Sequence, residues 1–329
     1  MHVARGESRN ACEVAEQLLG RAQRLSDRST LLRAESALGV TSFYMGELLL
    51  ARKHLEIAIS IYEPERHRRR ASQVGINCVS HAAWTLWQLG YPDQALTRGN
   101  EAVALAQGLS RTLGLAHAGL FVGVLRQHRR EARAAQENAE SVIALSAEHG
   151  LTDYWAWATS LHAWAMAEQG RSEEGVAHLQ EGLAALRATR SEMLRPYFLC
   201  MLAEAYMEAG RFDDGLSALT DALAAADEHE NRSHEAEIHR LKGELLLRQN
   251  HSNAATALSC FQRASEIARK QSAKSWELRA TMSLARLLAK SNPREEGRKA
   301  LAEIYGWFTE GFDTADLKEA KALLDELNA

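Results

Sequence analysis

The stretch MLRPYFLCMLAEAYMEAGRFDDGLSALTDALAAADEHE, residues 193–230, decides the fold. A helix-sized segment from Pro196 to Ala209 meets Gly210, and a second segment from Asp213 to Asp227 follows. Leu202, Ala203 and Tyr206 share one face of the first segment; Gly215, Leu219 and Ala222 share one face of the second. The small residues let two helices approach closely and the large ones fill the seam. A hairpin of this kind cannot bury its apolar faces alone, so it must stack on copies of itself.

The copies are present. The small residue of the first helix recurs as Gly39, Ala83, Val122, Ala163, Ala203, Gly243 and Ala285, at steps of 44, 39, 41, 40, 40 and 42 residues. That period predicts an all-α, right-handed solenoid of about seven tandem helix hairpins, forming a single superhelical domain over 1–329. The hairpins fall at about 30–64, 74–108, 112–149, 153–188, 194–229, 233–270 and 275–306. Residues 9–26 look like the second helix of a hairpin that lacks its first, and 312–328 read as a polar capping helix. All four prolines, Pro64, Pro92, Pro196 and Pro293, stand at these boundaries, where a ring that cannot continue a helix belongs. The third hairpin is the weakest, because His128, Arg129 and Arg130 occupy the place of a turn glycine.

Composition agrees. Prolines and β-branched residues are sparse while alanine and leucine abound, which favours helix over strand. The 46% apolar and 25% charged content is ordinary for a globular chain. The net charge of −4 lacks the positive excess of a nucleic-acid wrapper. Cys12, Cys78, Cys200 and Cys260 have no paired spacing and read as small core residues. Residues 1–10 lack the apolar core of a signal peptide, and no run of about 18 apolar residues occurs, so a cytoplasmic location is expected.

Catalytic signatures are missing. No GxxxxGK[ST], GxGxxG or GxSxG is present, so no catalytic residue, cofactor or metal is assigned. His234-Glu235 with His239 suggests a metal pair at a glance, but histidines five apart lie about 140° apart around a helix, so a solvated helix start is the expectation. Glu173-Glu174, Asp213-Asp214 and Glu295-Glu296 open second helices and complement the positive end of the helix dipole. Arg66 to Arg70, the densest basic run, reads as a solvated loop.

Ala257-Phe261-Ala264, Gly215-Leu219-Ala222 and the Leu202-Ala203-Tyr206 core resemble a tetratricopeptide repeat, in the long-helix version of MalT-like signalling ATPases. Five phrases extend the likeness: MGELLLARKHLEIAISIY (45–62), AWTLWQLGYPDQAL (83–96), RPYFLCMLAEAY (195–206), HRLKGELLL (239–247) and YGWFTEGFDTADLKEAKALL (305–324). Together they are similar to the C-terminal repeat region of long bacterial proteins that carry a predicted AAA-like ATPase, often behind a class III adenylate/guanylate cyclase domain. The likeness spans about residues 10–329, is poor between Pro64 and Cys78, and brings no ATPase or cyclase residue with it.

In a tetratricopeptide array the first helices line the concave face. By that register Trp84, Trp87, Trp157, Trp164 and Tyr197 line the groove of repeats 2–5, and Glu204, Arg240, Glu244, Arg279 and Arg286 that of repeats 5–7. Aromatics beside arginines suit buried contact patches. The function implied is a non-enzymatic scaffold that holds a protein, peptide or small ligand, as the regulatory or sensor module of an upstream ATPase or cyclase domain. The alternative is a free-standing peptide-binding adaptor or a self-assembling scaffold, in which the stripe Val14, Leu18, Leu19, Ala22, Leu25 pairs two copies into a homodimer. Neither nucleic acid nor membrane is an expected partner.

Overall fold

The computed structural model describes residues 8–64, 72–189, 192–289 and 294–328. Arg66 to Arg70 and the turn Ser291-Asn292-Pro293 lie outside them. Sixteen α-helices, and no strand, are found among the described residues. Helix α1 (Ser8–Leu25) precedes seven antiparallel hairpins: α2 (Arg28–Tyr44) with α3 (Leu48–Ile61), α4 (Ser72–Gln88) with α5 (Pro92–Gly108), α6 (Thr112–His128) with α7 (Ala132–His149), α8 (Thr152–Glu168) with α9 (Ser172–Thr189), α10 (Arg195–Glu208) with α11 (Phe212–Glu228), α12 (Glu235–Gln249) with α13 (Ala254–Lys270), and α14 (Lys274–Leu288) with α15 (Arg294–Trp307). Helix α16 (Ala315–Asn328) ends the stack.

The seams show why small residues recur. A methyl group added at Gly243 would lie 2.4 Å from the Phe261 ring, and one at Gly39 would lie 2.6 Å from Leu55. The turns show why glycine follows the first helices. At Gly46 and Gly90 φ is positive. The N–H of Glu47 reaches back to the Ser42 carbonyl at 2.8 Å, and that of Gly46 to Phe43 at 3.1 Å, so the last carbonyls of the helix are satisfied. Arg130 closes the same turn in hairpin three with φ 60°, a left-handed conformation that costs a side-chain-bearing residue about 1–2 kcal/mol.

Helix α1 packs on α2 through Ala11, Ala15 and Ala22, while Val14, Leu18 and Leu25 stay exposed. It therefore sits as the second helix of a hairpin would. The cysteines carry free thiols, three of them buried.

The solenoid closes on itself, which the repeat pattern did not announce. Hairpin one meets hairpin six, where the Arg232 N–H donates to the Tyr44 carbonyl at 2.6 Å. Hairpin two meets hairpin seven, where Ser275 Oγ donates to the Trp87 carbonyl at 2.5 Å. The segment before α16 continues the seam, with the Glu310 carboxylate accepting the N–H groups of Asp93 and Gln94 at the start of α5. Thus the first helices surround a central interior crossed by contacts between early and late hairpins.

Candidate functional site

A ring of side chains from five hairpins fills the middle of that interior. Trp87 stacks on His128 with centroids 4.5 Å apart; His128 meets Tyr197, Tyr197 meets His234, His234 meets Trp276, and Trp276 returns edge-on to Trp87 at 4.7 Å. All five are buried. Burial pushes His234 down to about 4 and His128 well below the usual imidazole range, so both rings are neutral at pH 7. His234 is therefore a plug residue rather than a solvated helix start, because the closure of the superhelix brings α14 over it. No metal-holding cluster occurs among the described residues.

On one side of the plug lies a charged cavity of about 310 Å³. Arg240, Glu244 and Arg248 project into it at helical spacing from α12, and Glu204 with Glu208 from α10. Trp164 and Glu168 come from α8, Arg279 and Arg286 from α14, and Asp316 and Glu319 from α16. The cavity shares Glu244, Ser283 and Arg286 with a second space of about 480 Å³ lined by Leu247, Leu287 and Leu323. The whole forms a channel, charged within and apolar along one end.

The arginines here are all engaged. Arg240 holds the buried Glu237 through two hydrogen bonds of 2.8 Å. Arg279 pairs with Asp316 at 2.8 Å and lies over Trp87 and Trp276 at 5.3 and 5.1 Å. Arg248 reaches Glu208 at 3.0 Å, and Arg130 and Arg286 both pair with Glu319. The acids are not matched in the same way. Glu204 accepts one hydrogen bond, from Trp164 Nε1 at 3.0 Å, and Glu168 has no hydrogen bond or ion pair among the described residues. Burial, then the neighbouring carboxylates Glu168 and Glu237, raise Glu204 to about 7. Burial and Glu208 raise Glu168 as well. Glu237 moves the other way: burial opposes its charge, but Arg240 and Arg279 hold the carboxyl below its ordinary value.

Beyond the plug, inside hairpins one to four, is an aromatic cavity of about 360 Å³. On α6 His117 faces this cavity and Gln127 the charged one, ten residues or about 15 Å apart.

The ten residues expected in a single groove are thus divided. Trp164, Glu204, Arg240, Glu244, Arg279 and Arg286 meet in the charged cavity. Trp157 lines the aromatic one. Trp87 and Tyr197 belong to the plug, where Tyr197 OH donates to Gln127 Oε1 at 3.3 Å. Trp84 reaches neither cavity: it is 1% exposed, stacked at 3.8 Å on Phe121, with Nε1 donating to the Phe121 carbonyl. Trp84 and Trp87 are three residues apart, an offset of about 60° around the helix, which puts Trp87 in the plug and Trp84 in the packing against Phe121. Sequence reasoning missed Arg130, Glu168, Asp316 and Glu319. The signal for Arg130 was visible, since an arginine standing where neighbouring repeats place glycine is held there at a conformational cost.

No family model matches the chain. An uncharacterized protein of Rhizobium meliloti (strain 1021) is 23% identical over 266 residues, which cover 78% of this chain and 25% of that protein. The chain therefore spans about a quarter of the length of this relative. Among solved structures, a Rap protein complexed with competence and sporulation factor superposes with a TM-score of 0.63 at 10% identity, covering 99% of this chain and 94% of that one. The Rap conjugation gene regulator of the plasmid pLS20, in complex with the Phr* peptide, gives 0.59 at 11% identity over 93% of this chain and 77% of its own. A signal transduction ATPase with numerous domains and a tetratricopeptide repeat sensor, from Pyrococcus horikoshii, gives 0.50 at 13% identity over 97% of this chain and 49% of its own. The architecture is that of tetratricopeptide-like helical solenoids. No helix among the described residues is long and apolar enough to cross a membrane.

Proposed function

We propose that this chain is a non-catalytic recognition module whose charged channel takes a peptide or protein segment presenting a basic side chain. The observation that carries the reading is the imbalance in the channel. Every arginine lining the charged cavity has a carboxylate partner, whereas Glu168 has none among the described residues and Glu204 has only an indole N–H. Burial and neighbouring carboxylates raise both groups, Glu208 acting on Glu168 and Glu168 with Glu237 on Glu204, and an incoming ammonium or guanidinium favours their ionised forms. Trp164 supplies an aromatic wall beside them, and the apolar end of the channel suits the adjoining residues of an extended segment. Two Rap proteins of similar fold are seen in complex, one with competence and sporulation factor and one with the Phr* peptide, and the latter supports a peptide as the occupant.

The module acts as the sensor of a longer bacterial signalling protein of the ATPase or cyclase-linked kind. Supporting this are the resemblance of the five sequence phrases, a relative about four times longer than the matched region, and the STAND ATPase with a repeat sensor of similar fold. A second reading, self-association through α1, is favoured by exposed Val14, Leu18 and Leu25. A mass in solution that does not change with concentration would remove it.

Selection from a displayed peptide library tests the channel. Enrichment of Lys- or Arg-bearing sequences by the native chain, absent with Glu168→Gln/Glu204→Gln, is the expected result. Enrichment of acidic sequences, or enrichment indifferent to that double substitution, contradicts it. The length of the native product in its source lysate tests the sensor role: a product near 36.5 kDa, the mass of this chain alone, would contradict it.

A further inference from the structure

The second cavity supports a separate conclusion. Its walls come from four first helices, among them Val40 of α2, Val74 of α4, His117 and Phe121 of α6, and Tyr154 and Trp157 of α8, and from the segment just before α10. The rings are fixed in place by one another. His117 stacks on Phe121 at 4.2 Å and its Nδ1 meets Tyr154 OH at 3.2 Å, while Tyr154 stands edge-on to Trp157 at 5.2 Å. His81 closes the back wall, 4.7 Å from Phe121, with Nδ1 donating to the Asn77 carbonyl.

Two features point to a ligand rather than to leftover space. The cavity is about 360 Å³, within the range of roughly 300–1,000 Å³ for small-molecule sites. It is a concave pocket open on one side, the form that small-molecule sites take. Further, His117 Nε2 and Trp157 Nε1, on two of the wall side chains, are buried without a hydrogen-bond partner among the described residues. Leaving such atoms unmatched is unfavourable, and a ligand with a polar atom of its own relieves it after a small ring rotation. The aromatic wall carries no formal charge, and Arg33, the charged residue that also lines the chamber, is exposed to solvent. Burial brings His81 to about 4 and His117 well below the imidazole range, and burial with Asp153 raises Tyr154 to about 12. A charged group driven against this wall would lose its water without gaining a counter-charge.

We infer that this aromatic chamber is a binding site for one small, uncharged, ring-bearing apolar molecule with a single hydrogen-bonding atom. The site is distinct from the charged channel and does not depend on the function proposed for it.

The probe for testing this is N-phenyl-1-naphthylamine, an uncharged two-part aromatic whose fluorescence rises in apolar surroundings. The full chain should bind it with a stoichiometry of one. Its sulfonated analogue, 1-anilinonaphthalene-8-sulfonate, should bind at least tenfold more weakly. Ala37→Phe and Val74→Phe, placed at the cavity from two different helices, should each weaken probe binding at least tenfold with the helical circular dichroism and melting temperature retained. Glu168→Gln/Glu204→Gln should leave it unchanged. If folded Ala37→Phe and Val74→Phe both bind the probe as the native chain does, or if several probe molecules bind per chain, the chamber is not the site. Equal affinity for the sulfonated analogue would overturn the uncharged class.

Discussion

The Arg279 guanidinium donates through Nε to Asp316 at 2.8 Å and through Nη2 to the His128 carbonyl at 2.5 Å. One side chain of the last hairpin therefore ties the capping helix to hairpin three, 151 residues earlier. It also shields Glu237, 3.4 Å away and 4% exposed. Closure of the superhelix and the charge balance of its channel meet at this residue.

Arg279→Met should be among the most damaging single changes in the chain. It leaves Glu237 and Asp316 buried with fewer partners, a loss of about 3–5 kcal/mol for one member of a buried pair. Urea unfolding followed by helical circular dichroism measures it. Small-angle scattering should show a larger radius of gyration where the variant remains folded, because the seam between hairpins two and seven loosens.

The Glu204 carboxyl moves from its ordinary 4.5 up to about 7. A carboxyl with a raised folded value binds its proton more tightly folded than unfolded, so its contribution to stability is greatest below pH 4.5 and declines as pH rises to about 7. Glu204→Gln keeps an acceptor for Trp164 Nε1 and removes that decline. The variant should match the native chain near pH 4.5 and exceed it by about 1–3 kcal/mol at pH 8. Comparing the two at each pH matters, because the buried histidines act in the opposite direction: their folded values are depressed, so their stability is present above 6.5 and lost as pH falls.

Two glycines should respond with opposite signs. Gly243→Ala places a methyl 2.4 Å from Phe261, and overpacking of this kind costs about 1–3 kcal/mol. Gly306→Ala meets nothing within 4 Å, and in the last turn of α15 it should stabilise by up to about 1 kcal/mol through helix propensity. Thermal melts of the two variants check both.

Glu310 caps α5 from 217 residues away, accepting the Asp93 N–H at 2.9 Å and the Gln94 N–H at 3.0 Å. Glu310→Ala should cost about 1 kcal/mol, as the loss of an N-cap does. Hydrogen exchange should rise at Asp93 and Gln94 and stay unchanged at Asp213 and Asp214, which open α11.

Much of this molecule was legible in its residues. The recurring small residue from Gly39 to Ala285 marks the seams, which at Gly39 and Gly243 leave no room for a methyl group, and the turn glycines carry the backbone angles that the pattern implies. Charged side chains spaced at four, as in Arg240, Glu244 and Arg248, share a face whatever surrounds them. What could not be read was superhelical closure. It depends on small rotations added up over five hairpins, and it decides whether a ring such as Trp87 lines a groove or fills a plug. Glu168 and Glu319 matter only because closure brings α8 and α16 to one cavity, and sequence spacing holds no record of that.

The most direct test of the charged channel is the affinity of one enriched basic peptide for the native chain and for Glu168→Gln/Glu204→Gln, by isothermal titration in the same buffer. A loss of at least tenfold in the double variant, with Ala37→Phe binding the peptide as the native chain does, is the predicted result. Equal affinity in the native chain and the double variant would contradict the assignment of these two carboxylates, and with it the channel as the place of recognition.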